Sequence, residues 1–136
     1  MAHWLLKSEP AKWSFDQQVE AGAKGTFWNG VRNHVAKQYL KSMMVGEQCF
    51  FYHSNHGKAI VGIVEVIKPY YPDDTDESGK FGMVDVKAVH EIAPVTLESI
   101  KAEPRLADMV LVKNSRLSVQ PVTDAEWAIV LEMSGS

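Results

Sequence analysis

Residues 46–68 read GEQCFFYHSNHGKAIVGIVEVIK, two apolar runs either side of the polar tip Ser54-Asn55-His56-Gly57-Lys58. Cys49, Phe50, Phe51 and Tyr52 form the first run and Ala59 to Ile67 the second, rich in the β-branched and aromatic residues that suit a pleated surface. The stretch reads as a β-hairpin. Neither arm alternates cleanly with polar residues: Phe50 and Tyr52 point one way, Cys49 and Phe51 the other, and Ile60 to Val64 is apolar on both faces. Strands of this kind are covered on both sides, which predicts a barrel wall with helices packed outside it. Gly62 removes a side chain where a bulge, a bend or a close approach is expected. The tip could set donors and acceptors on a rigid floor, although turn geometry alone accounts for Ser54, Asn55 and Gly57.

Upstream of the hairpin, Val31, Val35, Ala36, Tyr39, Leu40 and Met43 recur at three- and four-residue spacing and predict a helix that packs by one side, stopped by Gly46. Arg32, His34, Lys37 and Lys41 fall mostly on its other face. Before it, Gly25 to Asn33 (GTFWNGVRN) reads as a Gly-punctuated loop, Ser14-Phe15-Asp16-Gln17 as a capping box opening a short helix, and Ala2 to Lys7 as a first strand ended by Pro10. The segment Lys7 to Trp13 is then a polar loop at a strand end, a common position for binding residues.

Downstream, Pro69 to Gly79 is an acidic, proline-bounded excursion. Its carboxylates lack the alternate-position pattern of an EF-hand, so a solvated loop is expected rather than a calcium site. Met83 to Val89 alternates as a half-exposed strand. Thr96-Leu97-Glu98 opens a helix ended by Pro104, and a further helical turn follows through Arg105 to Met109. Residues 116–122 form an extended segment that Pro121 places at an edge, and Thr123 to Glu126 is a second capping box opening the last helix. The order predicts an α+β domain, a small, mostly antiparallel barrel with flanking helices, spanning 1–136 as one unit.

With 136 residues, 14 basic and 17 acidic side chains, the chain carries a net charge of −3, unlike a protein that grips long nucleic acid mainly through phosphates. No run approaches the roughly 20 apolar residues of a membrane helix, and the N-terminus has neither basic leader nor cleavage site. A cytoplasmic location, or nuclear in a eukaryote, is expected. Cys49 is alone, which excludes an internal disulfide, and its apolar neighbours suggest an inert core thiol. No Ser lies in a nucleophile elbow, the five His show no metal-site spacing and no glycine pattern cradles phosphate, so no metal or cofactor is expected.

What remains is a set of aromatics beside amides and hydroxyls at strand ends: Trp13, Trp28 and Tyr52 with Ser8, Asn29, Asn33, Ser54 and Asn55. A flat heteroaromatic ligand needs that mixture, and a nucleobase out of its stack is such a ligand. Core packing is the competing explanation. An enzyme acting on a nucleotide-like small molecule would need a titratable group near the ligand, for which only Glu9, His53 and His56 offer themselves.

Residues 4–10 (WLLKSEP), 28–33 (WNGVRN), 51–55 (FYHSN), 62–66 (GIVEV), 71–73 (YPD) and 116–122 (RLSVQPV) together resemble the EVE domain family, in order and over essentially the whole chain. The resemblance implies a PUA-like β-barrel with flanking helices, related in fold to YTH domains, which hold N6-methyladenosine in an aromatic cage. It implies no catalysis. The expected partner is nucleic acid carrying a modified base, DNA more than RNA, with 5-methylcytosine and 5-hydroxymethylcytosine the favoured candidates. Carried onto this chain, Lys7, Ser8, Trp28, Ser54 and Asn55 would line the pocket, to which the aromatic and amide set adds Trp13, Asn29 and Tyr52; Arg32 and Asn33 at the helix start, Lys37 and Lys41 on its basic face, and Arg116 are expected to meet flanking phosphates. Trp13 stands where the family often has Tyr, which keeps a π-face and loses a hydroxyl.

Overall fold

The computed structural model describes residues 1–135. The hairpin forms as expected: β3 (Gln48–His53) pairs antiparallel with β4 (Ala59–Pro72). Around them run β1 (His3–Ser8), α1 (Phe15–Glu20), β2 (Thr26–Trp28), α2 (His34–Ser42), β5 (Gly82–Thr96), α3 (Leu97–Ala102), α4 (Val110–Lys113), β6 (Val119–Val122) and α5 (Asp124–Ser134). The six strands make one sheet in the order β2-β5-β4-β3-β1-β6, antiparallel except for the β1–β3 pair. This α+β architecture agrees with the expected class. The ladder leaves β2 and β6 as edges, so the sheet is not closed by hydrogen bonds into the expected barrel, and Pro121 sits on the edge strand β6 as its missing N–H requires.

Both faces of the hairpin are covered, as its apolar character demanded. Cys49, Phe51, Val64 and Val66 pack with Trp4, Leu6, Phe15, Trp28 and the Ala36–Leu40 face of α2. Phe50, Tyr52, Ile60 and Ile63 pack with Leu106, Met109, Trp127 and Val130 on the other side. Gly62 is the close approach. A Cβ there would lie 2.3 Å from the Phe15 ring, which drops onto the strand and meets Phe51 edge-on at 5.3 Å. Both capping boxes are present, at Ser14/Gln17 and Thr123/Glu126.

Four expectations need correction. The segment read as a loop over 25–33 contains β2, a three-residue strand too short to show a period. The strand expected over 83–89 runs from Gly82 to Thr96, and β4 continues through Pro69 to Pro72, because irregular register along the pair accommodates both prolines. Val35 leaves the predicted stripe and is exposed, since α2 begins at His34 behind an Asn33 cap and Val31 lies outside it. The acidic excursion is not simply solvated. Asp73 is buried and organises the turn, with its carboxylate on Thr75 and on the segment after β2.

Candidate functional site

The ends of β1 and β2 lie at one rim of the sheet and enclose a cleft of about 520 Å³, lined by Lys7, Ser8, Glu9, Lys12, Trp13, Thr26, Phe27, Trp28, Asn29 and Gly30. One wall is the loop after β1. There the N–H groups of Lys12 and Trp13 both donate to the Glu9 carbonyl, and the Ser8 hydroxyl donates to the Trp13 carbonyl, folding the KSEP segment into a tight turn. The Trp13 indole donates to Gln18 Oε1 at 2.9 Å. Gln18 is itself fully buried on α1 and donates to the Val86 carbonyl at 3.2 Å, so the ring is tied to β5. A half-buried indole thus has one edge fixed by the protein and is held against free rotation.

The opposite wall is β2 and the turn that follows. Trp28 is 8% exposed and rests edge-on against Phe51 at 5.5 Å, so it belongs both to the core and to the cleft. Gly30, with φ of +82°, turns the chain out of the strand, and its N–H donates to Asp73 Oδ2 at 2.9 Å. The same carboxylate pairs with Arg32 at 3.0 Å and accepts from the Thr75 N–H and hydroxyl. Burial on its own would raise the Asp73 pKa, but the Thr75 hydroxyl, the Gly30 and Thr75 N–H groups and the Arg32 guanidinium overcome it and hold it at about 2. The clasp fixes the outer wall of the cleft to the β4–β5 turn.

Five of the eight expected pocket residues therefore meet: Lys7, Ser8, Trp13, Trp28 and Asn29. Tyr52, Ser54 and Asn55 do not line the cleft. Tyr52 points through the sheet into the opposite core, with the Lys7 ammonium 5.6 Å from its ring centre. Ser54 gives its N–H to the Ser8 carbonyl, extending the β1–β3 ladder by one bond and bracing the KSEP turn from below. Asn55 holds the left-handed corner of the hairpin tip, φ +70°, and borders a separate hollow with Gly57, Lys58 and Thr96. The turn explanation of the tip is the one these positions support. Lys7 donates to the Ser115 carbonyl, and burial followed by the nearby Lys58 charge lowers its pKa.

Among the expected phosphate contacts, Arg32 is committed to Asp73 and Thr75, and Asn33 Oδ1 caps α2 by accepting from the Ala36 N–H at 2.9 Å. Lys37 and Lys41 lie over the rings of Phe81 and Tyr70, 5.6 and 5.8 Å from the centres, and Arg116 is exposed in the turn before β6. Thr26, Phe27, Gly30 and Lys12 line the cleft without having been singled out, and Glu9, named only as a titratable candidate, lines it too. Finding β2 was the missing step, and its only sequence signal is the aromatic pair between Gly25 and Gly30.

A helix-flanked, mostly antiparallel sheet with an aromatic cleft at one rim defines a PUA-like α+β domain. The YTH domain of Zygosaccharomyces rouxii MRB1 protein, solved in complex with N6-methyladenosine RNA, shares that fold with a TM-score of 0.61 at 18% identity, covering 99% of this chain and 85% of its own. The chain belongs to the EVE domain family, whose model matches residues 2–133. Thymocyte nuclear protein 1 of Gallus gallus is 37% identical over 164 residues, 96% of this chain and 68% of that protein. A Rhodopseudomonas palustris protein solved by NMR superposes with a TM-score of 0.94 at 60% identity, covering 99% of this chain and 94% of its own. Human THYN1 protein, crystallised in complex with 5-methylcytosine containing DNA, superposes with a TM-score of 0.93 at 32% identity, covering 100% and 99%. Among the described residues, no helix is long and apolar enough to cross a membrane.

Proposed function

We propose that this chain recognises a modified nucleic-acid base, a modified cytosine in DNA, in the Trp13–Trp28 cleft and performs no chemistry on it. The observation that carries this reading is the cleft itself: two tryptophans and a short polar edge around about 520 Å³, within the range of small-ligand sites. The whole-chain likeness to a protein crystallised with 5-methylcytosine containing DNA supports it.

A base entering the cleft stacks on Trp13 and Trp28, each stack being worth about 1–3 kcal/mol. Ser8, Asn29 and the backbone of the KSEP turn read its polar edge, where an unmatched group costs about 1–3 kcal/mol. A cytosine methyl filling apolar space adds about 0.8 kcal/mol, roughly a fourfold preference. Lys37, Lys41 and Arg116 meet the flanking phosphates, which position the strand without reading it.

The test is a titration of labelled oligonucleotides, identical except for cytosine, 5-methylcytosine or 5-hydroxymethylcytosine, with a matched N6-methyladenosine RNA, at one low salt concentration. The wild type is expected to prefer one modified DNA severalfold, and Trp13→Ala to lose about tenfold or more. Equal, weak binding of all of them by both proteins would refute the reading.

A further inference from the structure

Phe27 is 55% exposed at the rim of the cleft, and among the exposed large hydrophobics of the described residues it is the aromatic one. Strand alternation sets it on the opposite side of β2 from Trp28, one residue and about 3.8 Å of backbone away. Its mount is rigid. Gly25, before the strand, has φ of +70° and lies so close to Val86 that a Cβ would sit 2.3 Å from that carbonyl oxygen, and Gly30, after it, is held by Asp73. Among the described residues no strand pairs with the outer edge of β2. Phe27 pairs across the ladder with Asp85, whose carboxylate takes the Tyr71 hydroxyl, and the Lys68 ammonium sits 3.8 Å from the Tyr71 ring centre on that side.

An apolar aromatic displayed on a fixed edge, beside a pocket of nucleobase size, has no core to fill. A base leaving a duplex for such a pocket vacates a gap in the stack, and apolar side chains inserted between base steps are a recurrent way of holding DNA so distorted. We infer that Phe27 is the wedge that occupies the gap left by the extruded base, so that this chain takes its modified base out of double-stranded DNA and not only from single strands. The inference rests on the reading of the cleft proposed above and adds to it the form of the nucleic acid.

The experiment compares a duplex carrying one modified cytosine, with 2-aminopurine as its 3′ neighbour, and the same modified strand alone. Wild type is expected to bind the duplex with a rise in 2-aminopurine fluorescence. Phe27→Ala is expected to lose that rise and about tenfold or more of duplex affinity, to lose distinctly less on the single strand, and to be rescued in both by Phe27→Trp. Equal loss on duplex and single strand, no loss on duplex, or a wild type that binds the single strand alone would each overturn the wedge while leaving the cleft reading intact. A wild type indifferent to the modification would instead remove the cleft reading, and the wedge with it. If Phe27→Ala changes the sedimentation coefficient of the free protein from dimer to monomer, Phe27 belongs to self-association and the wedge is overturned.

Discussion

The N–H of Gly30 donates to the buried Asp73 carboxylate at 2.9 Å, joining the turn after β2 to a loop 43 residues away. This bond and its Arg32 neighbour tie the outer wall of the cleft, beyond the β2–β5 ladder, to that loop. Asp73→Asn is expected to cost about 2–3 kcal/mol of stability in urea, because a charge-assisted network loses its anion. It should also weaken oligonucleotide binding by letting Trp28, Asn29 and Gly30 shift. Full affinity in the folded variant would separate the clasp from the cleft.

The same carboxylate sets an acid limit. Its pKa falls from an ordinary value near 3.8 to about 2 on folding, so its contribution is present above pH 4 and is lost as pH falls from about 4 to 2, amounting to roughly 2 kcal/mol. Urea midpoints measured across that window should drop for the wild type and drop less for Asp73→Asn.

His53 gives a second pH dependence of the same sign. Its Nε2 accepts the Phe15 N–H at 3.1 Å, which only the neutral ring can do, and burial lowers its pKa against the opposing pull of Asp16. A lowered pKa means that the unfolded chain takes up the proton first, so this contribution is complete above about 6.5 and is lost as pH falls through the folded value. His53→Gln, which keeps an acceptor without titrating, is expected to flatten stability between pH 7.5 and 5. An unchanged slope would assign it elsewhere.

Gly62→Ala would place a methyl 2.3 Å from the Phe15 ring. The ring is packed against Phe51 and cannot retreat, so a loss of about 1–3 kcal/mol is expected in chemical denaturation. Adding Phe15→Leu should recover part of it, since the pair would then couple.

Lys37→Gln and Lys41→Gln are expected to weaken every oligonucleotide alike and each to reduce the salt slope of binding by about 1. Arg32→Gln should instead lower stability, as its guanidinium is occupied by Asp73. A change in base preference in either lysine variant would contradict a purely phosphate role.

The hairpin, its two buried faces, the Gly62 close approach and both helix caps were legible because each is local: a period, a missing side chain, or a Ser/Thr followed three residues later by Gln or Glu. The clasp was not. Nothing near Asp73 in sequence announces that Gly30 and Arg32 will meet it, and an acidic run after two prolines looks like solvent-facing chain until a buried partner is known. The cleft was half legible. Ser8, Trp13 and Trp28 were found by residue type and family motif, whereas Tyr52, Ser54 and Asn55 were drawn in by their motif although the pleat carries Tyr52 to the other face, Ser54 meets Ser8 through its backbone and Asn55 borders a separate hollow. Phe27 escaped because β2 is too short to alternate visibly.

The central claim is that a base enters between Trp13 and Trp28, and the indole N–H resonances of the four tryptophans test it directly. In a ¹⁵N-labelled sample titrated with a short 5-methylcytosine oligonucleotide, the Trp13 and Trp28 signals are expected to shift. Trp4, hydrogen-bonded to Glu47 in the core, and Trp127, stacked on Phe50 on the far side, should stay in place. Saturable binding that moves neither Trp13 nor Trp28 would contradict the account.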